Sequence, residues 1–228
     1  VGADGIFSRV RGALAEGGHV RDDLQTLDFG YRELTIPAGP DGRWALAPDA
    51  VHVWPRPNSL LIALPNRNGT FTCMLIMRRE GEISLLSVRA AADFQNLLDR
   101  HFADVAPLMP NAAAEYLRRP ASSIFTVRCD PWHAAGRVVL MGDACHAIAP
   151  FYAMGMNMGF EDVTIFTGLL DRHGDDWAAA VAAFGAARKP DTDAIAALSL
   201  RNFNAIGQST GQDFQLKWEI ERRIWELA

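Results

Sequence analysis

The feature that most constrains the fold is an apolar run followed by an unusually long connection rich in small residues. The run RVVLM occupies residues 137–141, and GDACHAIAPFYAMGMNMGFED follows at residues 142–162. A continuous apolar run favours a strand covered on both faces, and a simple strand-to-helix connection needs only about 2 to 6 residues. The longer connection, with Gly155 and Gly159 near the start of a helix, predicts close approach of the backbone to a ligand.

Asp143 lies directly after this predicted strand. In open α/β sheets, ligands bind at the carboxyl ends of the strands, and a carboxylate there accepts hydrogen bonds from hydroxyl groups. The N–H groups of residues 155–157 open the following helix and favour a negatively polarised group. A cap on the following turn is the other role open to Asp143, and spacing alone does not decide between the two.

His146 is interpreted as a structural histidine. The sequence contains neither HExxH nor HxxxH, so no partner stands at metal-ligand spacing and we predict no metal site. Cys145 fits a small buried residue. The three cysteines form no CxxC motif, and their number is odd, which indicates reduced thiols.

The order of predicted elements is an α/β piece, a β-rich piece and a second α/β piece. A short helix begins near Ser8, residues 15–30 form a loop, and β patterns fill residues 31–78. Those β patterns are YRELTIPA, RWALA, VHVWPR, SLLIALPN and TFTCMLIM, the last two joined by a hairpin turn over RNG. Helical spacing covers residues 87–104, a strand covers IFTVRCDPW, and after a further helix two more flank Pro190. The fold class is therefore mixed α/β.

Composition excludes some partners. The chain has 228 residues and a net charge of −5 without a basic block, so a nucleic-acid partner is not expected. No apolar run reaches the ~18 residues of a membrane helix, and we expect a cytoplasmic protein. The first residues, VGADG, read as the end of a strand, so we expect the chain to be a piece of a longer protein.

Two motifs carry a family resemblance. GDACHAIAPFYAMGMNMGFED resembles the GD motif of class A flavoprotein monooxygenases, and VGADGIFSRVR resembles their DG motif. The β segments YRELTIPAG, HVWPR and LIALPNRNGTFTC are similar to the kynurenine 3-monooxygenase family within that class.

The resemblance implies a fold. It is a partial FAD-binding Rossmann-like domain interrupted by an antiparallel β-sheet substrate domain, as in p-hydroxybenzoate-hydroxylase-like flavoproteins. Residues 1–30 and 129–212 would belong to the FAD-binding domain, residues 31–128 to the substrate domain, and residues 213–228 to the start of a C-terminal helical region.

The resemblance also implies an activity and its residues. FAD and NADPH would be the cofactors, and O₂ and a small aromatic substrate such as kynurenine would react to give 3-hydroxykynurenine. No side chain is assigned a catalytic role. The implied cofactor-binding residues are Asp4, Gly142, Asp143, Gly155, Met156 and Asn157. The implied substrate-binding residues are Ile62, Leu64, Ile76, Pro150, Phe151 and Asn202, with Val51 beside them.

The sequence departs from the family pattern at several points. It contains no GxGxxG fingerprint, Ala153 stands where the family has glycine, and Met154 stands where it has glutamine. Ala205 stands where the family usually has an acid shortly after the asparagine. Alanine at position 153 costs on the order of 1 kcal/mol if that position requires a positive φ. We therefore expect this chain alone to be inactive and to hold FAD weakly. Another aromatic substrate, or a non-catalytic truncated domain, are the alternative functions.

Overall fold

The computed structural model describes residues 1–208, 219–220 and 222–223. The chain forms two compact units, and two of the boundaries between them fall inside strands. The interrupted unit consists of Val1–Leu27 and Ile124–Phe203, and the inserted unit contains Asp28–Ser123. The assignment of one unit to a cofactor and the other to a substrate stays a prediction.

The elements follow one another in blocks along the described chain: one helix, four strands, two helices, three strands and three helices. The helices are α1 (Arg9–Glu16), α2 (Ala91–His101), α3 (Ala112–Arg118), α4 (Asp143–His146), α5 (Gly155–His173) and α6 (Trp177–Gln208). The strands are β1 (Arg21–Ile36), β2 (His52–Arg56), β3 (Ser59–Pro65), β4 (Phe71–Arg78), β5 (Ser122–Asp130), β6 (His133–Ala134) and β7 (Val138–Val139). Short 3₁₀ turns cover Ala106–Leu108 and Pro150–Tyr152.

The interrupted unit joins the first residues of the chain to the apolar run that precedes Asp143. Gly2 forms a parallel bridge with Leu140, its N–H donates to Val139 (2.7 Å), and its C=O accepts from Met141 (3.0 Å). The predicted strand over residues 137–141 is therefore only β7 plus this bridge. The buried core of the unit contains Val20, Cys129, Trp132, Val139, Leu140, Met141, Cys145, Phe166, Leu169, Val181 and Phe184.

A five-stranded sheet carries the inserted unit, with the order β2-β3-β4-β1-β5. The pairs β2–β3, β3–β4 and β1–β4 are antiparallel. One face of the sheet is buried under α2 and α3, where the rings of Phe94 and Tyr116 stack with centroids 4.4 Å apart. The Tyr116 hydroxyl donates to the carbonyl of Leu85 (3.1 Å), so its one polar atom is satisfied in the core.

The hairpin predicted over RNG is confirmed. Strands β3 and β4 flank it, and the N–H of Asn66 donates to the carbonyl of Thr70 (2.8 Å). Gly69 has φ 85°, and a Cβ on this residue would lie 2.4 Å from the carbonyl oxygen of Gly42. Only glycine fits both the conformation and the space.

Two β predictions were wrong. Residues 21–30, predicted as loop, form the first part of β1, whereas residues 43–47, predicted as strand, lie outside every strand. Arg21–Leu27 is polar and almost entirely exposed, so it lacks the apolar alternation by which a half-buried strand is recognised. Extended structure there depends on tertiary context rather than on the local pattern.

The two helices predicted around Pro190 are one helix, α6. Proline removes one backbone donor and usually ends or kinks a helix. Here the residues on both sides are anchored: Arg188 and Thr192 are each 1% exposed. The Thr192 hydroxyl donates to the carbonyl of Lys189 (3.0 Å). Tertiary contacts thus hold the helix through the proline.

The three cysteines provide a test of the two cores. Cys73, Cys129 and Cys145 are free and buried. Burial raises the pKa of the Cys73 thiol to about 12 and that of Cys129 to about 11, and it raises the pKa of Cys145 as well. Because the thiolate is the reactive form, we expect no reaction with a disulfide reagent at pH 8 in the folded protein. All three thiols should react after unfolding in guanidinium, and rapid labelling without denaturant would contradict this packing.

Candidate functional site

Two acidic residues, Asp4 and Asp143, follow neighbouring chain segments at the same edge of the interrupted unit. Gly2 and Leu140 are neighbours in a parallel bridge, so the chain segments that follow them emerge side by side. Asp4 comes two residues after Gly2, and Asp143 comes three residues after Leu140. The structure thus brings together the ends of the two motifs singled out in the sequence.

The carboxylate of Asp4 is occupied by α1. It accepts hydrogen bonds from the hydroxyl of Ser8 (2.5 Å) and from the N–H groups of Arg9 (2.8 Å) and Val10 (3.3 Å). Ser8 in turn caps the helix by accepting from the N–H of Arg11 (2.9 Å), as predicted for the helix start. The bond from Ser8, with those from the backbone, lowers the pKa of Asp4 despite slight desolvation. A role of Asp4 toward a cofactor stays a prediction.

Asp143 has the opposite character. Its side chain is exposed, and no hydrogen bond or ion pair within the described residues involves its carboxylate. It begins α4, after Gly142 at φ 60°, and α4 has no side-chain cap. The alternative role as a cap therefore has no contact to support it. The carboxylate is available to accept hydrogen bonds from a ligand.

The beginning of α5 is also open. Its N-cap residue, Met154, makes no capping bond, and no acidic residue lies in the first turn. A Cβ added at Gly155 or at Gly159 would meet nothing within 4 Å. Met156 is 71% exposed and Asn157 is exposed. The first N–H groups of this 19-residue helix therefore have no capping side chain and no acidic partner, which suits a negatively polarised group.

Three of the predicted substrate-binding residues lie close together in the interrupted unit. Pro150 and Phe151 form a 3₁₀ turn, and the ring of Phe151 stacks on Phe203 with centroids 3.9 Å apart. The Ser199 hydroxyl donates to the carbonyl of Ala149 (2.7 Å). These contacts anchor the part of α6 that carries Asn202 against the turn.

The other three predicted substrate-binding residues share a face of the sheet in the inserted unit. Leu60 pairs with Ile76, and Ile62 pairs with Met74. Because side chains alternate along a strand, Ile62, Leu64 and Ile76 lie on the face opposite to the core under α2 and α3. Leu64 is 36% exposed, Ile62 is half-buried and Ile76 is buried. Val51 precedes β2 and is 56% exposed.

Sequence reasoning missed three charged residues behind this site. Arg11 is 2% exposed, donates to the carbonyls of Ala144 (2.9 Å) and Ile6 (2.9 Å), and lies 2.8 Å from the Asp22 carboxylate. Asp162, fully buried, accepts from Arg188 Nε (2.9 Å). The only sequence signal was a charged residue within a predicted helix, and such residues usually face solvent.

His146 belongs to the same cluster, with its Nε2 lying 2.5 Å from Asp162 Oδ2 and its ring 4.9 Å from that of Trp132. Burial raises the pKa of Asp162, but hydrogen bonds from His146, the Gly142 N–H and Arg188 outweigh it and lower the pKa below its ordinary value. The carboxylate is thus held ionised. Among the described residues, no group of histidines, cysteines and acids is arranged to hold a metal ion.

These residues suit a ligand that carries both hydroxyl groups and a negatively polarised atom. Asp143 offers a carboxylate that no protein group uses, and residues 155–157 offer helix N–H groups beside open space. Hydroxyl donors suit the first and negatively polarised atoms suit the second. FAD carries both kinds of group.

Comparison with known proteins also indicates FAD binding. Residues 1–179 match the family described as FAD binding domain. The chain is 41% identical over 222 residues to a kynurenine 3-monooxygenase of Flavobacterium psychrophilum, covering 97% of this chain and 50% of that protein. It is 45% identical over 206 residues to one of Salinispora arenicola, covering 90% of this chain and 45% of that protein. The chain therefore spans about half the length of these curated relatives.

Solved structures share the fold. PqsL, a probable FAD-dependent monooxygenase from Pseudomonas aeruginosa, superposes with a TM-score of 0.70 at 20% identity, covering 91% of this chain and 56% of that one. An HpxO variant of Klebsiella pneumoniae, solved with FAD, superposes with a TM-score of 0.69 at 19% identity, covering 99% and 56%. The predicted mixed α/β fold with an antiparallel sheet is confirmed. Among the described residues, no helix has both the length and the apolar character needed to cross a bilayer.

Ala153 provides a test of the turn before α5. It adopts the left-handed conformation, with φ 53° and ψ 29°, as expected of a position that prefers glycine. Left-handed backbone costs an L-residue roughly 1–2 kcal/mol, and glycine makes the unfolded chain more flexible by about 0.4–1 kcal/mol. We expect Ala153→Gly to raise the free energy of unfolding, by up to about 1 kcal/mol, as measured by denaturant titration.

The matched control is Ala3→Gly, at an exposed residue of the same unit that is not among those with positive φ. This change should lower the free energy of unfolding by about 0.4–1 kcal/mol. The same sign for both variants would show that strain at Ala153 is not the cause.

Proposed function

The chain belongs to the FAD binding domain family, and from this we propose that it forms part of an FAD- and NADPH-dependent monooxygenase that hydroxylates kynurenine or a close aryl-amine relative. The observation that carries the proposal is identity of 41% and 45% to two kynurenine 3-monooxygenases, over at least nine-tenths of the chain. Because the chain spans about half of those proteins, the activity is proposed for the complete natural protein.

In this proposal the interrupted unit binds the cofactor. Asp143 accepts hydrogen bonds from cofactor hydroxyl groups, and its ionised carboxylate makes those bonds stronger than neutral ones. Residues 155–157 direct their N–H groups at a negatively polarised atom of the cofactor. When bound, FAD supplies the redox chemistry, taking electrons from NADPH and activating O₂.

The predicted substrate-binding residues of the two units differ in chemistry. Ile62 and Leu64 offer partly exposed apolar surface on the same face as the buried Ile76, and such a surface suits an aromatic ring and excludes water. The amide of Asn202 can donate to a carboxylate and accept from an ammonium group, so it suits the amino-acid end of kynurenine. An aromatic amine activates its own ring, so correct placement is the main contribution the protein makes.

Met154 favours a second candidate, a monooxygenase of the same kind with another aromatic substrate. Met154 ends the turn after Pro150 and Phe151, and its Sδ lies 3.8 Å from the Nδ2 of Asn157. A thioether is a weak acceptor and an adaptable apolar group. It would remove a polar contact where the resembling family has glutamine, and so change which substrates are accepted.

The cofactor site is tested by the carboxylate of Asp143. In the complete natural protein, Asp143→Ala should weaken FAD binding by about ten- to a hundredfold, because each charge-assisted hydrogen bond contributes about 1.5–3 kcal/mol. Flavin fluorescence on titration of the apoprotein measures the dissociation constant. Asp171→Ala, at an exposed acid near the end of α5, is the control and should leave affinity unchanged. Equal affinities for wild type and Asp143→Ala would remove this residue from the site.

The substrate is tested by assaying NADPH consumption, hydroxylated product and peroxide together. Kynurenine should stimulate NADPH consumption, and Asn202→Ala should raise its KM by about two- to tenfold, as for the loss of one neutral hydrogen bond of 0.5–1.5 kcal/mol. If Met154 loosens substrate placement, Met154→Gln should increase product relative to peroxide.

Absence of stimulation in both wild type and Met154→Gln would contradict the kynurenine assignment and favour another aromatic substrate. If the protein binds FAD but no aromatic amine stimulates its NADPH consumption, the proposed reaction is wrong.

A further inference from the structure

The exposed carboxylate of Asp143 is carried by a turn that buried charges hold on both sides. The N–H of Gly142, the residue before it, donates to Asp162 Oδ2 (2.9 Å). The carbonyl of Ala144, the residue after it, accepts from Arg11 Nη1 (2.9 Å). Asp162 is fully buried and Arg11 is 2% exposed. Both side chains are therefore fixed in the core, and they hold the backbone on either side of Asp143.

Each oxygen of Asp162 has a separate task. Oδ2 accepts from the Gly142 N–H and lies 2.5 Å from His146 Nε2, so it is bonded to both ends of α4. Oδ1 accepts from Arg188 Nε (2.9 Å) on α6. Asp162 itself lies on α5, about two turns after the open helix start. One side chain thus fixes α4 relative to α5.

Arg11 is held by partners on three segments of the chain. Besides Ala144, it donates to the carbonyl of Ile6 (2.9 Å) and forms an ion pair with Asp22 on β1 (2.8 Å). The planar guanidinium fixes the direction of several bonds at once, which an ammonium group cannot do.

A stabilising role is a weak explanation for this arrangement. Buried ion pairs often contribute little net stability, because desolvation of the charges offsets their attraction. What the contacts do specify is the position of the backbone immediately before and after Asp143. A binding carboxylate needs placement within about 0.5 Å of its productive position.

We propose that Asp162 and Arg11 are positioning residues that hold the Asp143 turn so that its carboxylate meets the hydroxyl groups of the flavin cofactor. This inference rests on the proposed function. Neither side chain touches the cofactor; both act through Asp143.

A double-mutant cycle on the FAD dissociation constant tests the inference in the complete natural protein. The variants are Asp162→Asn, Asp143→Ala and their combination. Asparagine keeps the shape of the side chain but has only one accepting oxygen. Either Arg188 loses its acceptor, or the Gly142 N–H and His146 lose theirs. We expect Asp162→Asn alone to weaken FAD binding about tenfold, within the range of coupling for residues in one network. Added to Asp143→Ala, it should weaken binding less than about twofold.

Two further variants keep the test decisive. Arg11→Lys retains the charge but loses the fork that bonds Ala144 and Ile6. It should show the same non-additivity, and it replaces Asp162→Asn if that variant does not fold. Leu169→Ala removes a buried contact of the same core without touching the turn. It should lower the melting temperature while leaving the FAD dissociation constant unchanged.

The outcomes separate this inference from the proposed function. If Asp162→Asn weakens binding by the same factor with and without Asp143→Ala, the two residues act independently and the positioning role is wrong. If Asp143→Ala leaves FAD affinity unchanged, the cofactor-site assignment fails, and the positioning role fails with it. If Asp162→Asn weakens FAD binding by itself but adds little to the effect of Asp143→Ala, the cofactor-site assignment and the positioning role both stand.

Discussion

The candidate site depends on one buried carboxylate. Asp162 is fully excluded from solvent, so its charge has to be met by donors within the protein. Those donors come from the turn before Asp143, from His146 and from Arg188 on α6. Because an unpaired buried charge is strongly unfavourable, the three chain segments have one arrangement in which all partners are satisfied. The open start of α5 and the acid on α4 take their places from that arrangement.

Asp4 and Asp143 lie at the same edge of the interrupted unit but differ in their hydrogen bonds. Asp4 accepts three hydrogen bonds from the beginning of α1, which lower its pKa and occupy both of its carboxylate oxygens. Asp143 begins a helix of only four residues, has no protein partner within the described chain, and stays exposed. Residue type and spacing are similar in the two motifs. The length and position of the helix that follows decide which acid is available to a ligand.

The inserted unit follows from strand alternation, which explains how much of it could be predicted. Strands β2, β3 and β4 and the turn at Gly69 were recognisable, because apolar side chains alternate and the glycine marks the hairpin. The same alternation places Ile62, Leu64 and Ile76 on one face. The first part of β1 was not recognisable, since its exposed polar residues lack any period. Residues 43–47 were wrongly included as a strand because they are mostly apolar, although they lie outside the sheet.

The sequence by itself determined the local chemistry: the helix start at Ser8, the glycine-rich connection, the exposed acid and the motifs that indicate the flavin family. These signals are local, because caps, turns and motifs depend on a few neighbouring residues. Tertiary structure alone decided that α6 continues through Pro190 and that Arg11 and Asp162 turn inward to hold the Asp143 turn. Such choices depend on partners more than a hundred or about twenty residues away. A buried charge and a solvated charge look the same in a sequence, and only the packing around them separates the two.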